Sequence, residues 1–287
     1  MNKLVVTLFA AVNVVASIAA HSEGSSAMQH FYEIRGARLY TQTLGQGPPI
    51  LFLHGGLLFF DNNFAKQRDY FASYRTVIGI DQRGHGHSPD GPWALSYKMM
   101  ADDTAAVITS LGLGRVDVVG HSDGGNVGLL LARDYPELVR RLVISGANLR
   151  SGLSREAVQA WSPEQLAEKV SVLADSLPPS FRADYAKTSP DGADHWMELL
   201  TKCYQMWIEP VVIDRADLNK ISAPVLVMAG DHDFTSIEET IEIYRGLPNG
   251  QLIILPGTGH GTMQQRPDLV NLAIREFLDP PDAVVPP

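Results

Sequence analysis

Apolar positions along the chain follow two patterns that alternate. Short uninterrupted apolar runs recur at Ile50-Leu51-Phe52-Leu53, from Arg75 to Ile80, from Val116 to Val119, at Leu142-Val143-Ile144, from Val225 to Met228 and from Leu252 to Leu255. Their length and content predict strands, and their continuity predicts a parallel sheet covered on both faces rather than a half-exposed one. Gly45, Gly47, Pro48 and Pro49 supply a turn before the first run, and Asp81 ends the second. Between the runs the spacing turns helical. Tyr97, Met100, Ala101, Thr104, Val107, Ile108 and Leu111 share one face, with Ser96 placed as N-cap and Gly112 as the stop. Asn126 to Arg133 is an apolar helix directly after a strand, and Leu269, Leu272, Ala273, Glu276 and Phe277 mark the face of a C-terminal helix. His30 to Arg35 and Arg38 to Thr43 form a hairpin turning near Gly36. The expectation is an α/β fold: a mostly parallel central sheet flanked by helices, one domain over residues 28–279.

Three stretches break the alternation. Residues 149–210 contain no convincing strand but do contain Trp161, Trp196, Trp207 and several prolines, and are expected to form a small helical cap over one end of the sheet. Their aromatic residues are expected mainly in the core of that cap. Residues 280–287 are proline-rich and expected to be a disordered tail. Residues 1–20 begin with Met1-Asn2-Lys3 and continue uncharged from Leu4 to Ala20, with small residues at Ser17 and Ala19. This is the pattern of a signal peptide cleaved near Ala19–Ala20, which implies export to a periplasm or the exterior; an uncleaved N-terminal membrane anchor is the alternative. No later apolar run is long enough for a clear membrane span.

Composition narrows the function classes. Of 287 residues, 23 are Lys or Arg and 32 are Asp or Glu, a formal charge of −9, and no basic run occurs. Nucleic-acid binding by phosphate neutralisation is therefore not expected. The lone cysteine, Cys203, excludes an intrachain disulfide and any CxxC site, and is expected to be an apolar filler in the cap.

The chemistry concentrates at three strand ends. Gly120-His121-Ser122-Asp123-Gly124 fits G-x-S-x-G, a serine on a tight strand-to-helix turn that projects Oγ from the sheet. Leu51-Phe52-Leu53 ends in His54-Gly55-Gly56, where the N–H of Gly56, or of Leu57, can join that of Asp123 in an oxyanion hole. A serine nucleophile needs a base, and the base needs an orienting carboxylate. Asp231 and Asp233 follow one strand, and His260 follows the next. The order Ser, acid, His suits this fold.

Taken together these motifs resemble the α/β-hydrolase superfamily, in its esterase-like branch with a helical cap. Asp81-Gln82-Arg83-Gly84-His85-Gly86-His87-Ser88 matches that branch's D-x-R-G-x-G-x-S loop, Gly230-x-x-Asp233 its acid motif and Pro256-Gly257-x-Gly259-His260 its histidine motif. The resemblance favours Asp233 over Asp231 and implies a Ser122–Asp233–His260 serine hydrolase cleaving small carboxylic esters through an acyl-enzyme, without a cofactor. Aminoacyl esters, lactones, C–C bonds and cofactor-free perhydrolysis are variants that use the same triad, and a non-catalytic ligand-binding protein of the same fold is the reading of another class. Dehalogenase and epoxide hydrolase chemistry needs a carboxylate where Ser122 stands.

Other polar residues invite weaker readings. His85, His87 and His121 lack carboxylates at metal-ligand spacing, so no metal site is expected; His54 and His121 are expected to bond local backbone. Asp102 and Asp103 are expected to pair with cations or lie on a helix face. Asp123, beside the nucleophile, is a possible substrate-binding residue along with Leu57. A carboxylate there disfavours anionic acyl groups and suits an amine, for which the resemblance offers a precedent in hydrolases of amino-acid esters.

Overall fold

The computed structural model describes residues 27–280 apart from 152, 155, 157, 158, 210 and 211. The expected export segment 1–20 and residues 281–287 of the expected tail lie outside the described residues.

The strands are β1 (Met28–Ile34), β2 (Ala37–Leu44), β3 (Pro49–Leu53), β4 (Thr76–Ile80), β5 (Val116–His121), β6 (Val139–Ser145), β7 (Val225–Gly230) and β8 (Gly250–Leu255). They form one sheet in the order β1-β2-β4-β3-β5-β6-β7-β8, antiparallel at β1, β2 and β4 and parallel from β4 through β8. The expected hairpin turns at Arg35 and Gly36, both with positive φ, which matches the right-handed twist of paired strands.

The continuous apolar runs are explained by two cores. Ile50 and Phe52 of β3 pack with Phe60, Phe64 and Phe71 of α1 (Phe60–Phe71) and with Val270, Ile274 and Phe277 of the C-terminal helix. Leu51 and Leu53 face the other way, toward Val107 and Ile108 of α2 (Tyr97–Leu111) and Leu129 and Leu131 of α3 (Asp123–Asp134). Helix α2 is capped as its sequence predicts: the Ser96 side chain accepts from the Met99 amide, and Gly112 adopts the left-handed conformation at the end. Between β6 and β7 lie α4 (Pro163–Ser176), α5 (Pro179–Thr188), a 3-10 turn (Ala193–His195), α6 (Trp196–Trp207) and α7 (Arg215–Leu218). No strand occurs in this insertion among the described residues. After β7 come α8 (Ile237–Gly246) and, after β8, α9 (Thr262–Gln265) and α10 (Pro267–Leu278).

Two helices escape the hydropathy pattern. In α1 the buried stripe includes Asn63 and Gln67, so polar residues occupy core positions and hide the apolar period. In α8 the buried positions are only Thr240 and Ile243. The face expected for the C-terminal helix is corrected. Leu269 and Leu272 are exposed, and α10 buries Val270, Asn271, Ile274, Phe277 and Leu278. Two apolar sets about one residue out of phase are available on this helix, and the set that includes Phe277 and the branched Val270 and Ile274 fills the space beneath Phe52 and Leu255.

At the N-terminal ends of the strands, Arg75 is buried and bonds Asp117 at 2.7 Å and Asp279, while Arg140 also reaches Asp117. This network ties the last turn of α10 to β5 and leaves the opposite, C-terminal edge of the sheet for the chemistry-bearing loops.

Candidate active site

β5 ends at His121 and α3 begins at Asp123, so Ser122 alone makes the turn, at φ 54° and ψ −120°. A positive φ at a non-glycine residue is strained. The turn holds because its neighbours approach closely: a Cβ on Gly124 would strike the Leu53 carbonyl, and one on Gly120 the carbonyl of Gly124. The Ser122 amide donates to the Ser145 carbonyl at 2.7 Å, which pins the turn to β6.

Ser122 Oγ lies 2.8 Å from Nε2 of His260, and Nδ1 of His260 lies 2.8 Å from Oδ1 of Asp233. Asp233 is fully buried, and the same oxygen accepts from the Thr235 amide at 3.0 Å. A carboxylate accepts only, so His260 Nδ1 carries the proton and Nε2 is left to accept from the Ser122 hydroxyl. Asp231 is not part of this chain. Its Oδ1 accepts from the Thr258 amide at 3.0 Å, and amides of the histidine loop hold its carboxyl below the usual carboxylate range. Of the two acids left open by the strand pattern, the structure brings Asp233 to His260 and gives Asp231 to the loop that carries His260.

A second chain of bonds braces the same loops. Asn63 Oδ1 accepts from the Gly55 amide at 2.8 Å, Asn63 Nδ2 lies 3.2 Å from His121 Nδ1, and His121 Nε2 lies 2.8 Å from the His260 carbonyl. With Nε2–H donating to that carbonyl, Nδ1 accepts from Asn63. Burial, with the nearby His260, pushes the His121 imidazole down to about 4. His54 is likewise fixed as a neutral ring: Nδ1 bonds the Gly55 carbonyl at 2.8 Å and Nε2 accepts from the Gln82 amide at 2.9 Å, with burial pushing it to about 4. The expectation of local bonding holds for His54. For His121 it is corrected, since its partners come from α1 and from the loop after β8.

Gly55 to Leu58 form a turn closed by the Leu58 amide on the Gly55 carbonyl at 3.1 Å, with Leu57 at φ 61°. Gly56 sits against Asp123 Oδ2 and the Trp207 ring, each about 2.5 Å from where a Cβ would stand. Asp123 is the first residue of α3, so its amide has no carbonyl partner within the helix. The Asp123 side chain is buried and doubly engaged: Oδ1 accepts from the Tyr97 hydroxyl and Oδ2 from the Trp207 indole, both at 2.8 Å. Burial pushes its carboxyl up, against the pull of those two donors.

These residues open into a cavity of about 570 Å³, walled by Leu57, Leu173, Leu177, Phe181, Trp207 and Phe234. The aromatic residues of the insertion divide between the two roles weighed for them. Trp196 is buried against Tyr185, whereas Phe181 and Trp207 line the cavity.

The loop from Asp81 to Ser88 is structural. Asp81 accepts from the amides of Phe60 (2.9 Å) and His87 (3.0 Å), Ser88 bridges the Asp81 carbonyl and the Tyr40 amide, and Arg83 makes a two-pronged pair with buried Asp103. Asp102 pairs with Lys98 and Arg35. His85, His87 and His121 are not gathered: they bond the Arg83 carbonyl, Asp81 and the His260 carbonyl in turn. A different trio, Asp90, His195 and Glu198, does come together, but Lys202 Nζ sits 2.5 Å from Asp90, so a cation already occupies the position where a metal would be drawn. Cys203 is fully buried in α6.

Sequence reasoning missed Asn63, Gly146, the Tyr97 hydroxyl and Phe234. Gly146, at φ 66°, stands where a Cβ would come within 2.7 Å of His260 Cε1 and 3.2 Å of Asp233 Oδ2. Its place just after a strand that ends beside the nucleophile was the available signal. Phe234, adjacent to Asp233, is 79% exposed, and its ring centroid lies 4.0 Å from that of His260.

A parallel sheet with a serine, histidine and aspartate at the C-terminal ends of its strands defines the α/β-hydrolase class. A sequence profile of the alpha/beta hydrolase family matches residues 50–273, and the chain belongs to that family. It is 29% identical over 251 residues to the sn-1-specific diacylglycerol lipase ABHD11 of Mus musculus, covering 80% of this chain and 81% of that protein. It is 28% identical over 277 residues to a non-heme haloperoxidase of Rhodococcus erythropolis, covering 85% and 97%. Among solved structures, it superposes with a thermophilic esterase from Thermogutta terrifontis at a TM-score of 0.68 and 25% identity, covering 88% of this chain and 98% of that one.

Proposed function

We propose that this hydrolase cleaves carboxylic esters through an acyl-enzyme on Ser122. The observation that carries the reading is the unbroken hydrogen-bonded chain from Ser122 Oγ through His260 to buried Asp233, opening into an apolar cavity. In this mechanism His260 Nε2 takes the Ser122 proton as Oγ attacks the ester carbonyl, and Asp233 stabilises the imidazolium that forms. The oxyanion is held by the amides of Asp123 and of Gly56 or Leu57. His260 then returns the proton to the departing alcohol, and a water activated by the same histidine releases the acid. Every step is acid–base or acyl transfer, so the reading requires no cofactor or metal. The esterase and lipase relatives support ester bonds as the substrate class; the haloperoxidase relative shows that the family is not confined to them.

Asp123 serves here to hold Trp207 and Tyr97 against the oxyanion loop. If that is its whole role, an aminoacyl ester and its des-amino analogue react with similar kcat/KM; a faster aminoacyl ester would assign Asp123 to a substrate amine. Residues 1–20 are proposed as an export signal, which N-terminal sequencing of the mature chain tests directly.

The deciding experiment is labelling with a fluorophosphonate, followed by turnover of p-nitrophenyl esters of graded acyl length. Ser122→Ala is expected to lose labelling and to lose kcat by at least about a thousandfold while keeping its circular dichroism spectrum. A labelled, active Ser122→Ala protein overturns the assignment. A folded wild-type chain that neither labels nor hydrolyses any ester favours a ligand-binding role.

A further inference from the structure

Phe234 is the most exposed large apolar side chain among the described residues, and it is at the mouth of the site. The residue is 79% exposed; its ring packs on His260 at 4.0 Å between centroids, and it lines the cavity that holds Ser122. It follows Asp233 directly, and the turn that carries both is closed by the Thr235 amide on the Asp233 carboxylate at 3.0 Å. The backbone that fixes the acid therefore also fixes the aromatic ring over the base.

Chemistry decides what approaches that ring. In acylation the bond from the carbonyl carbon to the alkoxy oxygen breaks as the Ser122 Oγ bond to that carbon forms. The proton taken from Ser122 passes from His260 Nε2 to the departing oxygen. The alkoxy oxygen must therefore lie within hydrogen-bond reach of Nε2, while the carbonyl oxygen points the other way, to the amides of Gly56 or Leu57 and Asp123. The group on the alkoxy side is thus brought next to His260 and to the ring packed against it. Charged groups near the mouth are already engaged: Arg150 pairs with Glu242 at 2.5 Å, and Glu239 accepts from the amides of Leu149 and Arg150.

Resting on the ester-hydrolase reading above, we infer that Phe234 is the platform for the alcohol half of the substrate, and that the preferred substrates are esters of apolar, ring-bearing or branched alcohols. Covering an exposed aromatic ring with apolar surface is favourable, and it is specific to acylation because the alcohol has left before deacylation. Phe234 is a specificity-determining residue on the leaving-group side, and the cap residues Leu173, Leu177 and Phe181 are left to the acyl half.

The test holds the acyl group constant as butyrate and varies the alcohol through ethanol, cyclohexylmethanol and benzyl alcohol. Release of acid is followed in the wild-type chain, Phe234→Ala and Phe234→Leu. Phe234→Ala is expected to lower kcat/KM about tenfold for the benzyl and cyclohexylmethyl esters and less than about threefold for the ethyl ester, with Phe234→Leu retaining most of the preference. Where deacylation limits, kcat is expected to stay the same across the series. An equal loss on all three esters, with an altered pH profile, would make Phe234 a positioning residue for His260 and overturn the inference. So would an effect confined to esters presented in phosphatidylcholine vesicles, which marks a surface anchor, or a flat alcohol preference in the wild-type chain. A wild-type chain that labels with fluorophosphonate but shows no alcohol preference defeats only this inference; one that neither labels nor turns over any ester defeats the hydrolase reading with it.

Discussion

The loops that carry Ser122, Asp233 and His260 and the helices that roof them are held in different ways. In α3, behind the nucleophile, ten of twelve residues are buried; in α4 of the roof, one of fourteen is, and in α5 one of ten. The site loops leave the same edge of one parallel sheet, after β5, β7 and β8, and are cross-braced by the Gly55–Asn63–His121–His260 chain. The roof is anchored mainly by α6, which buries Trp196, Leu199, Leu200, Cys203 and Met206. It is then joined to the body by side-chain links: Trp207 to Asp123, His195 and Lys202 to Asp90, and Asn62 to Asp184. The difference teaches that Ser122 stands at the start of a nearly fully buried helix, the kind of support that precise placement needs. The cap side of the cavity stands largely on helices with few buried residues, the kind of region that opens at low free-energy cost.

The largest effect is expected where the site loops lose their acid. Asp233→Asn should lower kcat by about a thousandfold or more, because the amide no longer favours Nδ1–H and the imidazolium, while Asp231→Asn should stay within about threefold. Steady-state kinetics on a p-nitrophenyl ester decide it, and a reversed order would move the acid to Asp231.

Next comes Gly146, whose amide donates to the Met228 carbonyl at 3.1 Å and whose missing side chain makes room for His260. Gly146→Ala places a methyl against His260 at a positive φ, and about a ten- to hundredfold loss of kcat is expected with fluorophosphonate labelling slowed in parallel. An unchanged kcat would mean that the histidine loop gives way easily and is not the stiff element described.

The buried histidines give the body of the sheet an acid sensitivity. His54 and His121 sit at about 4 in the folded chain against an ordinary 6.5. Between those values the unfolded chain binds protons that the folded chain does not. The stability conferred by the neutral rings is therefore complete above about pH 6.5 and is lost as the pH falls toward 4, by about 1.4 kcal/mol per pH unit for each ring. Urea unfolding between pH 7.5 and 5 should show the decline, and His121→Gln should reduce its slope by about one proton. A wild-type stability that is flat over this range would contradict the neutral assignment.

The smallest effect is expected at the roof. Trp207→Phe removes the donor to Asp123 while keeping an aromatic ring, so KM should rise about two- to fivefold with kcat nearly constant, and amide exchange in α6 should quicken. A kcat loss as large as that of Gly146→Ala would erase the distinction between the two regions.

Much of this was legible in the chain itself. The strand runs, the elbow at Ser122, the Asp233 and His260 motifs and the capped α2 are local features, set by residues within a few positions of each other. Helix starts were legible in part too, at α4 and at α8. Ser162 and Gln165 form a capping box, and Ser236 caps α8 through the Glu239 amide, each with the serine three residues ahead. Hydropathy missed α1 because Asn63 and Gln67 face inward, and it placed α10 out of phase because two apolar sets competed and only the shape of the space beneath the sheet chose between them.

What the sequence determined by itself was the order of the strands and the candidacy of Ser122 and His260 for nucleophilic chemistry, with the acid narrowed to Asp231 or Asp233, because turn geometry and hydrophobic period are short-range properties. Tertiary structure alone decided which residues support them. Asn63 reaches His121, Gly146 makes room for His260, Trp207 closes on Asp123, and Phe234 lies over the base. Apart from Phe234, whose ring the acid's own turn delivers, these contacts join residues far apart in the chain. They exist only because a parallel sheet brings the C-terminal ends of its strands to one edge and folds the insertion over them.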